Sequence, residues 1–280
     1  MKRVTLSANA YPIDGMRVRP LFGVSVRKLT SSYNGPCMRV RRSADNAECD
    51  IYFAGRVMNL TALREFVGAN SGYVVTWYDQ FSTNHPTQAT AGSQPRIIDA
   101  GTLDTIGNIK TLPAVRATGS QYLSSSTVPA GTTSMGEFHC SFVTVERARS
   151  PATHVVFNPS AGTGRIGAHM PYHTGTAYFD FGGTANPQRI YAGYPPTTST
   201  TAIIALRNSV AANVKSINVN NAAIVTGTGT TASASVVQLF LLAGSDLANA
   251  GIGEVMMWNT YLSDSENTAL HDNQKAYFGV

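Results

Sequence analysis

Short apolar runs separated by Gly-, Pro-, Ser- and Thr-rich turns fill most of this chain, a pattern of many strands rather than of helices. Strands are expected over 112–117, 137–146, 153–158, 164–170, 176–181, 201–207, 214–219, 222–226, 236–243 and 252–258. The pair 214–219 and 222–226, joined at Asn220 and Asn221, reads as a hairpin, since Asn tolerates the positive φ such a turn needs. Ahead of these, Val24, Val26, Met38 and Val40 alternate with polar neighbours around a turn at Asn34, Gly35 and Pro36, and 73–78 reads as a short buried strand. Helical spacing occurs in two places. Leu60, Leu63, Phe66 and Val67 share one face between a capping Asn59 and a terminating Gly68. Ser263, with Glu266 three residues on, opens a second helix to about 276 as a capping box.

So many strands at this spacing, without intervening helices, predict an all-β antiparallel sandwich with one or two short helices. Residues 1–22, with Pro12 and Pro20, read as an extended arm, and 23–280 as a single domain. No repeat or linker divides it.

Composition narrows the picture. Hydrophobic residues make up 43% and charged residues 13%, too apolar and too charge-poor for disorder. Charge is uneven: residues 1–42 carry nine basic side chains against Asp14 alone, which leaves the remainder slightly acidic. A basic arm on a near-neutral body suits a partner protein, because no helix-turn-helix, zinc-finger or RNA-recognition signature accompanies it. No run of about 18 apolar residues predicts a membrane span. The start MKRVTLSANAYPIDGM has no apolar stretch of the kind a secretory signal needs.

Neither a metal nor a cofactor is expected. Cys37, Cys49 and Cys140 fit no zinc spacing and require no disulfide, although a Cys37–Cys49 bridge is open. His169 and His173 are separated by Pro171, so they cannot form a helical ligand pair.

Two blocks carry a resemblance. Ser31–Asp45, followed by Thr76-Trp77-Tyr78-Asp79-Gln80 and Thr87-Gln88-Ala89, resembles the amino-terminal part of the catalytic domain of family-54 α-L-arabinofuranosidases. Similar blocks occur in virion proteins of tailed bacteriophages. Gly251–Asn259 with Leu262–Glu266 resembles the closing strand and helix of laminin G-like domains. The resemblance implies a concanavalin A-like jelly-roll sandwich and, for the enzymes, retaining hydrolysis by two carboxyls about 5–5.5 Å apart.

Carried over residue by residue, the resemblance puts Phe179-Asp180-Phe181-Gly182 where the family has its nucleophile strand, with Gly182 at the position of the nucleophilic Glu. Asp246, in Ala243-Gly244-Ser245-Asp246, matches the acid/base Asp. The family's paired cysteines are missing around His154, Val155 and Val156. Tyr178, Asp180 and Asp246 are therefore candidates for glycan contact, with Tyr178 on the same strand face as Asp180 and Phe179 on the other. Asp79 and Gln80 are expected to hold a loop.

Loss of the nucleophile predicts a non-enzymatic structural protein of a tailed-bacteriophage virion. Lys2, Arg3, Arg17 and Arg19 would contact other virion proteins, the chain would form a homo-oligomer in the particle, and a host-surface glycan would be its ligand. Nucleic acid and membrane are not expected as partners. The alternative is a glycoside hydrolase of arabinofuranosidase type with a rearranged active site.

Overall fold

The computed structural model describes residues 11–106, 112–125, 134–146, 153–158, 164–170, 175–194, 201–233, 238–239, 241–242 and 246–280. Among them, strands of a thirteen-stranded and a six-stranded sheet dominate, with two α-helices. The larger sheet is antiparallel along the order 222–227, 214–219, 201–209, 137–146, 246–258, 115–119, 96–99, 72–77, 38–42 and 48–51. Phe22–Ser25 adds to Asp246–Trp258 on the side. The smaller sheet runs 123–124, 238–239, 153–158, 166–169, 176–181 and 189–193.

The sheets meet through one apolar core. Phe138 of the larger sheet lies 6.1 Å from Phe179 and 5.0 Å from Phe181 of the smaller one, ring centre to ring centre. Alternation explains this: Ala177, Phe179 and Phe181 point inward and are fully buried, so Tyr178 and Asp180 point outward. Burying each phenylalanine stabilises the fold by roughly 1.5–3 kcal/mol.

The expected helices form as Leu60–Val67 and Asp264–Phe278. Asn59 accepts the backbone N–H of Ala62 at 3.0 Å. Ser263 and Glu266 complete a reciprocal capping box, and Gly279 ends the helix in the left-handed region. Asn220 and Asn221 both take positive φ, at 49° and 67°, in the predicted hairpin. Arg96–Asp99 and Arg189–Gly193 were not expected, nor were the two-residue strands Phe53–Ala54, Val57–Met58, Thr102–Leu103 and Leu123–Ser124, and Asp246–Trp258 starts six residues earlier than the apolar pattern predicts.

Residues 11–22 lie against the sandwich. Ile13 is 2% exposed and joins a second small cluster with Leu29, Met256, Trp258, Leu262 and Leu270. The Trp258 indole N–H donates to the Val18 carbonyl at 3.1 Å. Arg17 is exposed and pairs with Glu266 at 3.5 Å, and Arg19 is exposed. Lys2 and Arg3 fall outside the described residues. Cys37, Cys49 and Cys140 are free thiols.

Candidate functional site

The amino-terminal block is a polar frame. Asp79 is 1% exposed, and its Oδ1 accepts the backbone N–H groups of Gly23 and Phe81 at 2.8 and 3.0 Å. Its Oδ2 accepts the Ser82 hydroxyl. Burial raises its carboxyl to about 6, opposed by those hydrogen bonds. Gln80 accepts the Leu29 N–H and donates to the Arg27 carbonyl, both at 2.8 Å. Both residues hold the segment 23–29 in place, as expected for a loop anchor.

That segment delivers Arg27 to Glu254, a pair buried at 3% and 0% side-chain exposure. The guanidinium reaches both carboxylate oxygens, at 2.7 and 3.0 Å, and Asn273 at 2.8 Å. Ser25 and Gln274 donate to the same carboxylate. Four hydrogen bonds from Arg27, Ser25 and Gln274 thus hold this carboxylate within the core.

The outer face of the smaller sheet has different chemistry. Register sets Asp180 opposite Arg189, and Tyr178 opposite both Tyr191 and His169. Arg189 grips Asp180 through two bonds of 2.5 and 2.7 Å, and Arg165 approaches the same carboxylate at 2.8 Å. Arg165 also meets the His169 ring at 2.8 Å. Asp180 is 0% exposed. What reaches the surface beside it is Tyr191, 62% exposed, its ring 5.7 Å from Tyr178, which in turn lies 4.8 Å from the Arg189 guanidinium carbon.

Gly182 is closed to any side chain. Its φ is +100°, and a Cβ there would come within 2.2 Å of the Thr231 carbonyl oxygen. The segment that carries Thr231 is fastened: Asn208 accepts the Thr230 N–H and donates to the Thr230 carbonyl, at 3.0 and 2.8 Å. The Thr230 hydroxyl donates to the Phe181 carbonyl at 2.6 Å and accepts from Lys215 at 2.6 Å. Lys215 is fully buried and also donates to the carbonyls of Pro187 and Gln188 at 3.0 and 2.8 Å. Burial lowers its ammonium to about 8, with the Asp180 charge pulling the other way. The neighbourhood of Gly182 is thus rigidly built around the absence of a side chain.

Of the expected glycan contacts, Tyr178 and Asp180 share the outer face. Asp246 begins the strand Asp246–Trp258, where its backbone pairs with Leu242. Arg165, Arg189, Tyr191 and Lys215 were not singled out in the sequence, and His169 was considered only as a metal ligand. One signal for the basic partners was available: between residues 147 and 245 Asp180 is the single acid, against six basic residues. A buried carboxylate there has to draw on those cations.

Among the described residues no group of three or more His, Cys, Asp or Glu could hold a metal ion. No helix among them is long and apolar enough to cross a membrane.

Residues 22–132 match the family model for the catalytic domain of α-L-arabinofuranosidase B. Solved structures with a similar fold include an arabinofuranosidase complexed with arabinofuranosyl-α-1,2-xylobiose, at 17% identity and a TM-score of 0.69. A GH54 α-L-arabinofuranosidase soaked with a cyclic sulfate inhibitor aligns at 16% identity and a TM-score of 0.71. Each comparison covers 92% of this chain and 63% of the other, so the chain spans less than two thirds of those proteins. Nothing matches among curated protein sequences. At these identities the structural likeness establishes the fold: an antiparallel sandwich of the GH54 type.

These matches overturn the expectation of a non-enzymatic virion protein. That expectation rested on one missing side chain and on a likeness to bacteriophage proteins. The family model and the similar folds above are instead those of arabinofuranosidases, and none of them is a virion protein.

Proposed function

We propose that this sandwich is the hydrolytic domain of a glycoside hydrolase acting on α-L-arabinofuranosyl groups, with a rearranged active site. The observation that carries the reading is the match of residues 22–132 to the arabinofuranosidase catalytic model. Sugar is placed on the outer face of the smaller sheet, where Tyr178 supplies a ring and Asp180 fixes the two arginines. Asp246 takes the acid role that its resemblance implies, giving its proton to the leaving oxygen as the glycosidic C–O bond breaks.

Residue 182, a glycine, has no side chain to carry a covalent intermediate. Attack is therefore assigned to water in a single displacement: the new C–O bond forms on the opposite face of the ring, and the water proton leaves to solvent. This predicts an inverted product, whereas the two-carboxylate route through a glycosyl-enzyme retains configuration.

The test is hydrolysis of 4-nitrophenyl α-L-arabinofuranoside by the full chain and by Asp246→Asn, with the product anomer read by NMR at early times. The reading expects turnover, inversion, and a fall of about a hundredfold or more in the variant, the usual worth of a general acid. Folded protein without turnover overturns it.

A further inference from the structure

We infer that the seam between the helix Asp264–Phe278 and the larger sheet is a binding site for one ordered water, which donates to Nε2 of His271 and to the Ser141 hydroxyl oxygen. The site lies apart from the outer face of the smaller sheet, and the inference is independent of the hydrolase reading.

The helix turns a polar stripe to the sheet. Asn267, His271 and Gln274, spaced i, i+4 and i+7, are all buried, where a surface helix ordinarily places apolar residues. Beneath them Ser141, Ile203 and Ala205 of the larger sheet are buried too, with Ser141 opposite Ala205 in register. These six, together with Asn221 at the hairpin turn, line one pocket.

The hydrogen bonds around the pocket leave one atom unmet. The Ser141 hydroxyl donates to Gln274 Oε1 at 2.9 Å, and Gln274 Nε2 donates to Glu254 at 3.1 Å. Asn267 donates to Asn221 Oδ1 at 3.1 Å, and Asn221 donates to the Thr268 hydroxyl oxygen at 3.4 Å. His271 is answered on one side of its ring. Its Nδ1 lies 3.3 Å from the Asp272 carboxylate, which accepts and does not donate, so the ring proton sits on Nδ1. Burial lowers the imidazole against the pull of Asp272, which favours the neutral ring. Nε2 is then an acceptor. His271 is 8% exposed, and its Nε2 has no hydrogen-bond partner among the described residues.

A buried acceptor left unmet is costly, and water is the donor that fits. The pocket has about 10 Å³ of free space, room for about one water and far too little for a sugar ring. Polar cavities of this size take up water, whereas apolar ones stay dry. One hydrogen of the water serves Nε2. The other serves the Ser141 oxygen, whose own proton is spent on Gln274. The water thereby completes a line of bonds from Arg27 through Glu254, Gln274 and Ser141 to His271, and ties the C-terminal helix to the frame.

The experiment is a crystal structure of the full chain at a resolution that shows waters, from crystals free of glycerol and other polyols, beside one of His271→Leu. The unsubstituted protein is expected to show a water within about 2.7–3.2 Å of Nε2 and of the Ser141 oxygen. His271→Leu removes the acceptor and is expected to lose that water. A protein donor on Nε2, no water at that position, or the same water retained in His271→Leu each overturns the inference. Should the variant not fold, the ring itself decides. Nitrogen-15 NMR of the unsubstituted chain near neutral pH is expected to show the proton on Nδ1 and Nε2 accepting a hydrogen bond; a proton on Nε2 overturns the inference.

Discussion

The frame around Asp79 and the outer face around Asp180 are both built on buried carboxylates, and they use them in opposite ways. Around Asp79 the resemblance extends through a whole block, and each polar atom serves the fold: backbone N–H groups of Gly23 and Phe81, then the Arg27–Glu254 pair. Around Asp180 the carboxylate is taken by two arginines, the residue two positions on is glycine, and the space beside that glycine is filled by Thr231 in a segment anchored by Lys215. A carboxylate that caps backbone N–H groups fastens a loop, whereas one that pairs with guanidiniums fixes cationic side chains on a face.

The largest effect that would sharpen this contrast is expected in the frame. Arg27→Met leaves Glu254 buried with its principal partner gone, and should cost about 3–5 kcal/mol of stability in denaturant unfolding. A loss below about 1 kcal/mol would mean that the pair is not the centre of the frame.

Next comes Gly182→Ala. The added Cβ meets a backbone carbonyl at 2.2 Å in a left-handed conformation, so a loss of about 2–3 kcal/mol is expected, with the Thr231 segment displaced. Gly182→Glu should likewise destabilise the protein and give no covalent intermediate with a mechanism-based arabinofuranosyl inhibitor. A stable, labelled Gly182→Glu protein would break the comparison, because it would show room for a side chain at residue 182.

Asp79→Ala should cost about 1–3 kcal/mol, since it strands two backbone N–H groups, one of them in the buried strand Phe22–Ser25.

The last effect is read only below neutral pH. His139 is fully buried against Trp258, 5.3 Å between ring centres, and neither ring nitrogen has a hydrogen-bond partner. Burial, helped by the Arg207 charge, lowers its imidazole to about 3 from an ordinary 6.5. The unfolded chain therefore binds the extra proton between those values, and the His139 contribution to stability rises with pH from about 3 to 6.5 and is level above. His139→Leu should flatten that part of the stability–pH curve; an unchanged slope from pH 4 to 6.5 would contradict it.

Much of the fold is written in local pattern. Asn59, Gly68, Ser263 and Glu266 mark helix ends because capping is a matter of a few adjacent residues. The alternation in 176–181 separates Phe179 and Phe181 from Tyr178 and Asp180 for the same reason. The strand Arg189–Gly193 was hidden because its Ala and Gly, followed by Tyr194, Pro195 and Pro196, read as a loop; pairing with Thr176–Phe181 imposes the extended form. The early start of Asp246–Trp258 has the same origin, since Ala248–Ile252 pair with Val115–Gly119. Missing that 189–193 strand meant missing Arg189 and Tyr191, and so half of the outer face. The Arg27–Glu254 pair joins positions 227 apart in sequence, beyond the reach of any local signal. Gly182 was legible as an absence, but its closure by Thr231 was not.

The most direct measurement is the product anomer released from 4-nitrophenyl α-L-arabinofuranoside by the folded full chain. Water attack without a residue-182 intermediate predicts inversion, with activity lost in Asp246→Asn. Release of the retained anomer, or of no sugar at all, would contradict it.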